Sequence, residues 1–300
     1  MSTPQWRHCS RRRPKRLSVS TSEMACWVCV AVLFGVVAVV AKFLLFWKRN
    51  DQLRKSDWKR DVVYLYQFPR SKTIPNMSPF CLKVETFLKV NKIPYEVCQL
   101  LMGRSRYGLL PFVELNGEHI ADSQIIISRL TKHFNIKPLP SIRSEAIARV
   151  IDRTADIHTF LVSYNFKVVQ NTNDIFLMAL RDVGCPGVLL PIVAPIIGFL
   201  ARRKAAKKIA AVVGQLDTIE LKEMLQKDYD AYRDLLGDQK FIFGDDISSV
   251  DCTLFGQLAT VLYVPTNSYC KELLRDHYPT LVEYCGRIRD TVFGNEFASH

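Results

Sequence analysis

Two short stretches of the sequence carry side chains that could hold a small ligand. The first begins at Ser78-Pro79 and runs into an apolar-periodic segment. Serine followed by proline is a preferred helix start, in which the serine oxygen caps the first turn. The N–H groups and the dipole of a helix start also attract anions. Ser78 is therefore a candidate contact for an anionic ligand group, or it is only a cap.

Cys81 lies one turn into the same predicted helix, where the second thiol of a Cys-x-x-Cys pair would stand. Because Ser78 takes the place of the first thiol, a two-thiol disulfide cycle is not available here. Two interpretations of Cys81 remain. The helix start could lower its pKa and make it a reactive thiol, or it is a small buried apolar residue.

The second stretch is residues 109–123, with the sequence LLPFVELNGEHIADS. Its Asn-Gly dipeptide is the best fit to a two-residue hairpin turn, so a short strand is predicted on each side. Pro111 stands at the mouth of the first strand. Asp122 and Ser123 precede an apolar-periodic helix, and they either cap it or hold a ligand at its N-terminus.

The elements around these stretches follow the order of a thioredoxin-like domain. A β-rich run at 62–68 precedes the predicted helix at 78–91, and a second strand follows at 93–98. Pro111, the hairpin and the capped helix then complete the domain. In that fold the proline is cis, which is uncommon even for X-Pro bonds. It turns the backbone N–H and C=O of Leu110 toward a peptide-like ligand.

Helical sequence follows, and the whole order resembles the glutathione S-transferases. A narrower resemblance is to the failed axon connections and cadmium-responsive proteins, relatives of the metaxins. Three segments carry it: SPFCLKVETFL at 78–88, LPFVELN at 110–116 and LLGDQKFIFGDDISSVDCTLFGQL at 235–258. The resemblance covers residues 62–292. It implies an α/β thioredoxin-like domain at 62–136 and an all-α domain at 141–293.

The resemblance also implies glutathione as the substrate. Ser78 would stabilise its thiolate, Asp122 and Ser123 would hold its γ-glutamyl end, and the backbone of Leu110, before Pro111, would contact its cysteinyl part. The pattern departs from the family at residues 99–110, which are too few for the full helix that normally adds glutathione contacts. No metal site is predicted, because the six histidines form no i,i+4 pair and have no paired cysteines at ligand spacing.

The net charge of +12 is concentrated near the N-terminus. Residues 1–60 hold 13 Lys/Arg and 3 Asp/Glu, a net of +10, whereas the other 240 hold 28 and 26, a net of +2. The globular part therefore gives no indication of nucleic-acid binding. The nine cysteines are odd in number and irregularly spaced, which favours free thiols in a reducing compartment.

An apolar run predicts a membrane anchor. After a basic, disordered segment at 1–23, Met24 to Ala41 contains 18 consecutive apolar residues, and the run resumes after Lys42 and reaches Trp47. A transmembrane helix over 24–47 fits this length better than a core helix or a cleaved signal peptide. Six basic residues flank each end, so orientation is weakly set. The unpaired cysteines favour a cytosolic domain beyond a charged tether at 48–61.

Residues 184–208 interrupt the predicted helical domain. A Gly-Cys-Pro-Gly break leads to an apolar run at 188–201 with two interior prolines, and a basic cluster follows (Arg202, Arg203, Lys204, Lys207, Lys208). This segment either lies on an anionic membrane surface or packs on the domain core with a solvated charged end. Further on, Ser248 and Asp251 form a capping-box pattern with a folding role.

Two functions fit these observations. The first is a single-pass, membrane-anchored glutathione transferase in detoxification, stress response or axon development. The second is a non-catalytic, metaxin-like adapter that uses the fold to bind proteins at an organelle membrane. Pro111 and the Asp122-Ser123 pair favour ligand binding, whereas the short loop at 99–110 favours the adapter. Turnover, the second substrate or protein partner, and dimerisation are left open.

Overall fold

A computed structural model of the chain describes residues 52–298 apart from 101–103 and 183, and before them only Trp27, Val30, Phe34 and Gly35, which are helical. The chain divides into two compact units, 1–47 and 48–300. The predicted anchor at 24–47 lies almost entirely outside the described residues. Among those that are described, no helix has both the length and the apolar character needed to cross a membrane.

The first half of the larger unit is a four-stranded mixed sheet with helices. Its elements are β1 (Val63–Gln67), α1 (Pro79–Val90), β2 (Tyr95–Gln99), β3 (Phe112–Leu115), β4 (Glu118–Ala121) and α2 (Ser123–His133). The strand order is β2-β1-β3-β4, with β1 parallel to β2 and antiparallel to β3, and β3 antiparallel to β4. This topology confirms the predicted thioredoxin-like half.

The second half is helical, as predicted. Its helices are α3 (Ile142–Arg153), α4 (Phe160–Tyr164), α5 (Thr172–Asp182), α6 (Leu190–Val212), α7 (Thr218–Leu236), α8 (Ser249–Leu262), α9 (Tyr269–His277) and α10 (Pro279–Val292). π-Helical turns at Thr154–Thr159 and Asn165–Val169 flank α4, and a 3₁₀ turn spans Gly294–Glu296. Helix α9 was not predicted from the sequence as a separate element.

The predicted capping box begins the most buried helix, α8. The Asp251 carboxylate accepts hydrogen bonds from the Ser248 N–H (2.8 Å), the Ile242 N–H (2.9 Å) and the Tyr284 hydroxyl (2.8 Å). Burial raises the pKa of Asp251, and these hydrogen bonds oppose the rise. One carboxylate thus joins the start of α8 to the turn before it and to α10, which is the folding role expected of it.

Helices α1 and α8 pack closely because α8 carries a glycine at the crossing. A Cβ built on Gly256 would lie 2.5 Å from the backbone oxygen of Pro79 and 3.2 Å from the Cβ of Lys83. Real Cβ atoms do not approach backbone oxygen this closely. The first turn of α1 is therefore held directly against the middle of α8.

We expect Gly256→Ala to destabilise the fold by about 1–3 kcal/mol, because the added methyl group overpacks a rigid backbone contact. Urea unfolding followed by far-UV circular dichroism measures this change. Gly286→Ala in α10 is the matched control, since its Cβ would meet nothing within 4 Å. The control should be neutral or stabilising by up to about 1 kcal/mol, as alanine is the better helix former. Equal stability of the two variants would contradict this packing.

The sheet buries both of its faces. Val63, Leu65 and Val113 pack against α1 and α2 on one face. On the other face lie Tyr64, Tyr66 and Phe112, and the chain before β1 reaches it. The Arg54 guanidinium lies 5.8 Å from the Phe112 ring centre, and the Lys55 ammonium lies 5.2 Å from that of Tyr64. We call residues 52–59 the N-terminal strap.

A buried carboxylate of β3 fastens the N-terminal strap. Glu114 accepts hydrogen bonds from the backbone N–H groups of Arg54 (2.7 Å) and Lys55 (3.0 Å) and from the Tyr66 hydroxyl (3.0 Å). The backbone N–H of Lys59 also donates to the Tyr64 hydroxyl (2.9 Å). The segment that the sequence marks as a charged tether is therefore attached to the sheet from residue 54 onward.

Glu114→Gln should loosen the N-terminal strap, because an amide cannot accept at both positions and loses the charge that strengthens these hydrogen bonds. The expected result is faster tryptic cleavage after Arg54 and Lys55. Mass spectrometry of the released peptides measures the rate of cleavage. Glu118→Gln is the control, as Glu118 is exposed in β4 and pairs with Arg129. Faster cleavage in the control, or none in Glu114→Gln, would contradict this attachment.

Candidate functional site

Ser78 lies at the N-cap position of α1, as predicted, but its side chain does not cap the helix. Its backbone N–H donates to the Asn76 side-chain oxygen (3.0 Å), and the Asn76 amide donates to the Phe68 carbonyl (2.9 Å). Asn76 is fully buried. Ser78 therefore occupies the N-cap position, as the capping interpretation predicts. Its hydroxyl, however, makes no capping hydrogen bond.

Cys81 is fully buried below this helix start. Burial raises the pKa of its thiol to about 12, although hydrogen bonds from the Ser78 hydroxyl and the Phe68 backbone and the charge of Arg104 oppose the rise. At neutral pH the thiol is therefore protonated. Of the two interpretations of Cys81, the structure supports the buried apolar residue.

Cys81 should resist alkylation in the native protein, because the thiolate and not the thiol is the nucleophile. We expect iodoacetamide at pH 7.5 to modify Cys185, which is a half-buried free thiol, well before Cys81. Peptide mapping by mass spectrometry measures both sites, and labelling in urea shows that Cys81 reacts once unfolded. Equal native labelling of the two cysteines would show that Cys81 is accessible and ionised.

The Leu110–Pro111 peptide bond is cis, as expected from the thioredoxin-like order. It directly precedes β3, whose first residue, Phe112, lies opposite Tyr66 in β1 and Ala121 in β4. Leu110 packs in one cluster with these residues and with Cys81. The end of β1, the cis bond and the end of β4 thus meet at one edge of the sheet, next to the start of α1.

Asp122 caps α2 from a left-handed backbone conformation, with φ of +79°. Its Oδ1 accepts hydrogen bonds from the N–H groups of Gln124 (3.0 Å) and Ile125 (3.2 Å). Ser123 follows as the first helical residue and is buried. The capping interpretation is confirmed for Asp122. A ligand role stays a prediction, and non-glycine residues at positive φ occur often at functional sites.

Arg104 is a site residue that sequence spacing did not identify. Its guanidinium lies 5.2 Å from the ring centre of Phe68, and its charge acts on the Cys81 thiol below Ser78. Burial lowers the pKa of Arg104. Arg106, by contrast, donates to the backbone oxygen of His119. The sequence does not distinguish the two arginines of this short loop. Only the folded loop shows that Arg104 acts on Cys81 whereas Arg106 contacts β4.

Helix α6 also reaches the site. The Lys208 ammonium lies 5.4 Å from the ring centre of Phe160. The ring centres of Phe160 and Phe80, two residues after Ser78, are 4.8 Å apart in a T-shaped contact. Burial lowers the pKa of Lys204, and the nearby charges of Arg104 and Lys208 lower it further. Two members of the basic cluster, Lys204 and Lys208, thus lie near the candidate site. They are too far from Ser78 in the sequence for any motif to connect them.

Within the described part of the chain, His, Cys, Asp and Glu side chains form no group of three or more that could hold a metal ion. The site instead combines a serine at one helix start, a carboxylate at another, a cis-proline before β3 and two neighbouring cationic side chains, Arg104 and Lys204.

A thioredoxin-like half with a cis-proline, followed by a helical half, defines a glutathione S-transferase-like protein. Residues 79–173 match the family described as glutathione S-transferase N-terminal domain, and residues 225–288 match the glutathione S-transferase C-terminal domain. The chain is 28% identical over 254 residues to Failed axon connections of Drosophila melanogaster. It belongs to the glutathione S-transferase-like family that includes that protein.

The alignment with Failed axon connections covers 80% of this chain and 60% of the fly protein, so the chain spans about three fifths of that relative. The chain is also 24% identical to isoprene-epoxide–glutathione S-transferase of Rhodococcus, over 76% of this chain and 98% of that enzyme. A solved glutathione S-transferase of Methylobacterium radiotolerans, in complex with glutathione sulfonate, superposes with a TM-score of 0.51 at 15% identity, covering 80% and 95% of the two chains. This similarity shows the shared fold.

Proposed function

We propose that this chain binds glutathione, at a membrane, in the site formed by Ser78, Leu110, Pro111, Asp122 and Ser123. The observation that carries the proposal is the cis Leu110–Pro111 bond at the edge of the sheet where α2 begins. In a thioredoxin-like fold the backbone before such a proline is turned outward and can pair with an extended peptide, as an added strand pairs with a sheet edge. The family match and the structural relative solved in complex with glutathione sulfonate support a glutathione-like peptide.

The chemistry of glutathione matches the groups around this bond. Both capping bonds of Asp122 fall on Oδ1, so Oδ2 can pair with the γ-glutamyl ammonium group. Ser123, at the first turn of α2, suits the adjacent carboxylate because helix starts attract anions. The Leu110 backbone suits the cysteinyl amide. Since glutathione carries two carboxylates and one ammonium group, the positive charges of Arg104 and Lys204 complement its net negative charge.

Ser78 is the group proposed to act on sulfur. Its hydroxyl does not cap α1, and by rotating away from the Cys81 thiol it can donate a hydrogen bond to a thiolate at the positive end of that helix. Such a bond favours the ionised thiol, which is the nucleophile in transfer to an electrophile. The proposal extends to turnover, in which the chain transfers glutathione to an electrophile, with a role in detoxification, stress response or axon development. The names of the two curated relatives support it.

The membrane part of the proposal rests on the sequence. The apolar run at residues 24–47 has the length of a single span, and the unpaired cysteines suit a domain in the cytosol. The N-terminal strap begins five residues after this run.

We expect the full chain in detergent micelles to bind glutathione by isothermal titration calorimetry. Asp122→Asn should weaken binding at least tenfold, because it removes the partner of the ammonium group. The same variant keeps an oxygen that can cap α2, so its melting temperature should change little. Ser78→Ala should leave stability unchanged and raise the pKa of bound glutathione, measured by thiolate absorbance near 240 nm.

The outcomes separate binding from folding. Weaker binding at unchanged stability in Asp122→Asn supports the ligand role, whereas lost stability with unchanged binding assigns the residue to capping alone. No heat of binding at millimolar glutathione would contradict the proposal. It would favour the adapter, in which the same fold binds proteins at an organelle membrane and the short loop after β2 leaves the peptide site incomplete.

A further inference from the structure

Helix α6 has two different faces. Its inner seam is buried and consists mostly of small side chains (Leu190, Ala194, Gly198, Ala205, Ile209). This seam packs against α5 and the Asn165–Val169 turn. The opposite face carries large apolar side chains that are about half exposed, namely Ile192 48%, Ile196 41%, Phe199 59% and Leu200 53%. A helix face that borders only water is normally polar, so this apolar stripe indicates a partner.

Basic residues continue the stripe toward the C-terminal end of α6. Helical periodicity places Arg203 and Lys207 in line with Ile196, and the Arg203 guanidinium lies 5.7 Å from the Phe199 ring centre. Residues 188–213 contain five Lys/Arg and no Asp/Glu, a net of +5. Helix α7, in contrast, mixes five acidic with three basic residues, as expected of a face in water. The charge on α6 therefore fits a uniformly negative surface.

We propose that the outer face of α6 rests on an anionic lipid bilayer. The face consists of the apolar side chains Ile192, Ile196, Phe199 and Leu200 and the basic side chains Arg203 and Lys207. The apolar side chains enter the boundary between headgroups and acyl chains, and the basic ones contact the anionic headgroups, as in amphipathic interfacial helices. The basic residues in its second half keep α6 from crossing the membrane.

Charge and shape favour a bilayer over a protein partner. A protein partner would be oriented by charges of both signs, and α6 has no acidic residue. Its continuous apolar stripe beside cations instead matches a uniformly negative surface such as an anionic bilayer. The two sides of α6 then have separate tasks, because Lys204 and Lys208 turn toward Arg104 and Phe160 at the peptide site. The lipid contact does not depend on glutathione binding or on a span at residues 24–47.

Photo-crosslinking tests this contact in the full chain. The chain carries p-benzoylphenylalanine in place of Phe199 and is irradiated with vesicles of phosphatidylcholine, with or without phosphatidylserine. We expect lipid adducts at position 199, detected by mass spectrometry, at a several-fold higher yield when phosphatidylserine is present. The same probe in place of Ile142, which is 88% exposed on α3, measures the background. Thermal unfolding by circular dichroism verifies that both chains are folded.

A charge-matched pair of variants isolates the basic residues. Combining Arg203→Gln and Lys207→Gln should lower the lipid-adduct yield at position 199 several-fold. Combining Arg143→Gln and Arg149→Gln removes the same charge from exposed positions of α3 and should leave the yield unchanged. The proposal is overturned if position 199 exceeds the background in neither vesicle, if both vesicles give equal yields, or if the probe links to protein in place of lipid.

Discussion

An ion pair in the interior joins the two halves of the fold. The Lys83 ammonium on α1 lies 2.6 Å from the Asp156 carboxylate in the turn after α3, and both are almost inaccessible to water. Gln124 and Gln257 donate to the same carboxylate at 2.9 and 3.3 Å. Removing such charges from water costs several kcal/mol for each ion, so the pair is tolerable only with these added bonds. The start of α1, where Ser78 lies, is fixed by this constraint and by the contact at Gly256.

The second face of the sheet shows how the fold adapts to a missing element. A sheet must cover both apolar faces, and the loop from residue 99 to 110 is too short for a full helix. The N-terminal strap lies over Tyr64 and Phe112 instead, held by Glu114. The segment that the sequence marks as a charged tether is thereby part of the domain, and it packs behind the strand that follows the cis-proline.

The candidate site reuses groups that also build the fold. Asp122 caps α2 through one carboxylate oxygen, and the Ser78 position starts α1 without a side-chain cap. Sequence reasoning identified these residues because helix starts and ligand sites draw on the same residue types. It could not separate the two roles. That separation depends on which oxygen accepts which N–H, and this is decided by backbone angles that neighbouring elements impose.

The sequence by itself determined the order of the elements, the hairpin and the capping box, because each rests on local residue types and short spacing. The cis-proline was implied only by the resemblance of that order to the thioredoxin-like fold. Only the tertiary structure decided that the Cys81 thiol is buried, that Arg104 acts on this thiol while Lys204 lies near Arg104, and that the N-terminal strap covers the sheet. The physical reason is distance along the chain. Arg104 and Lys204 are 100 residues apart, and local patterns carry no information about which distant charges folding brings together.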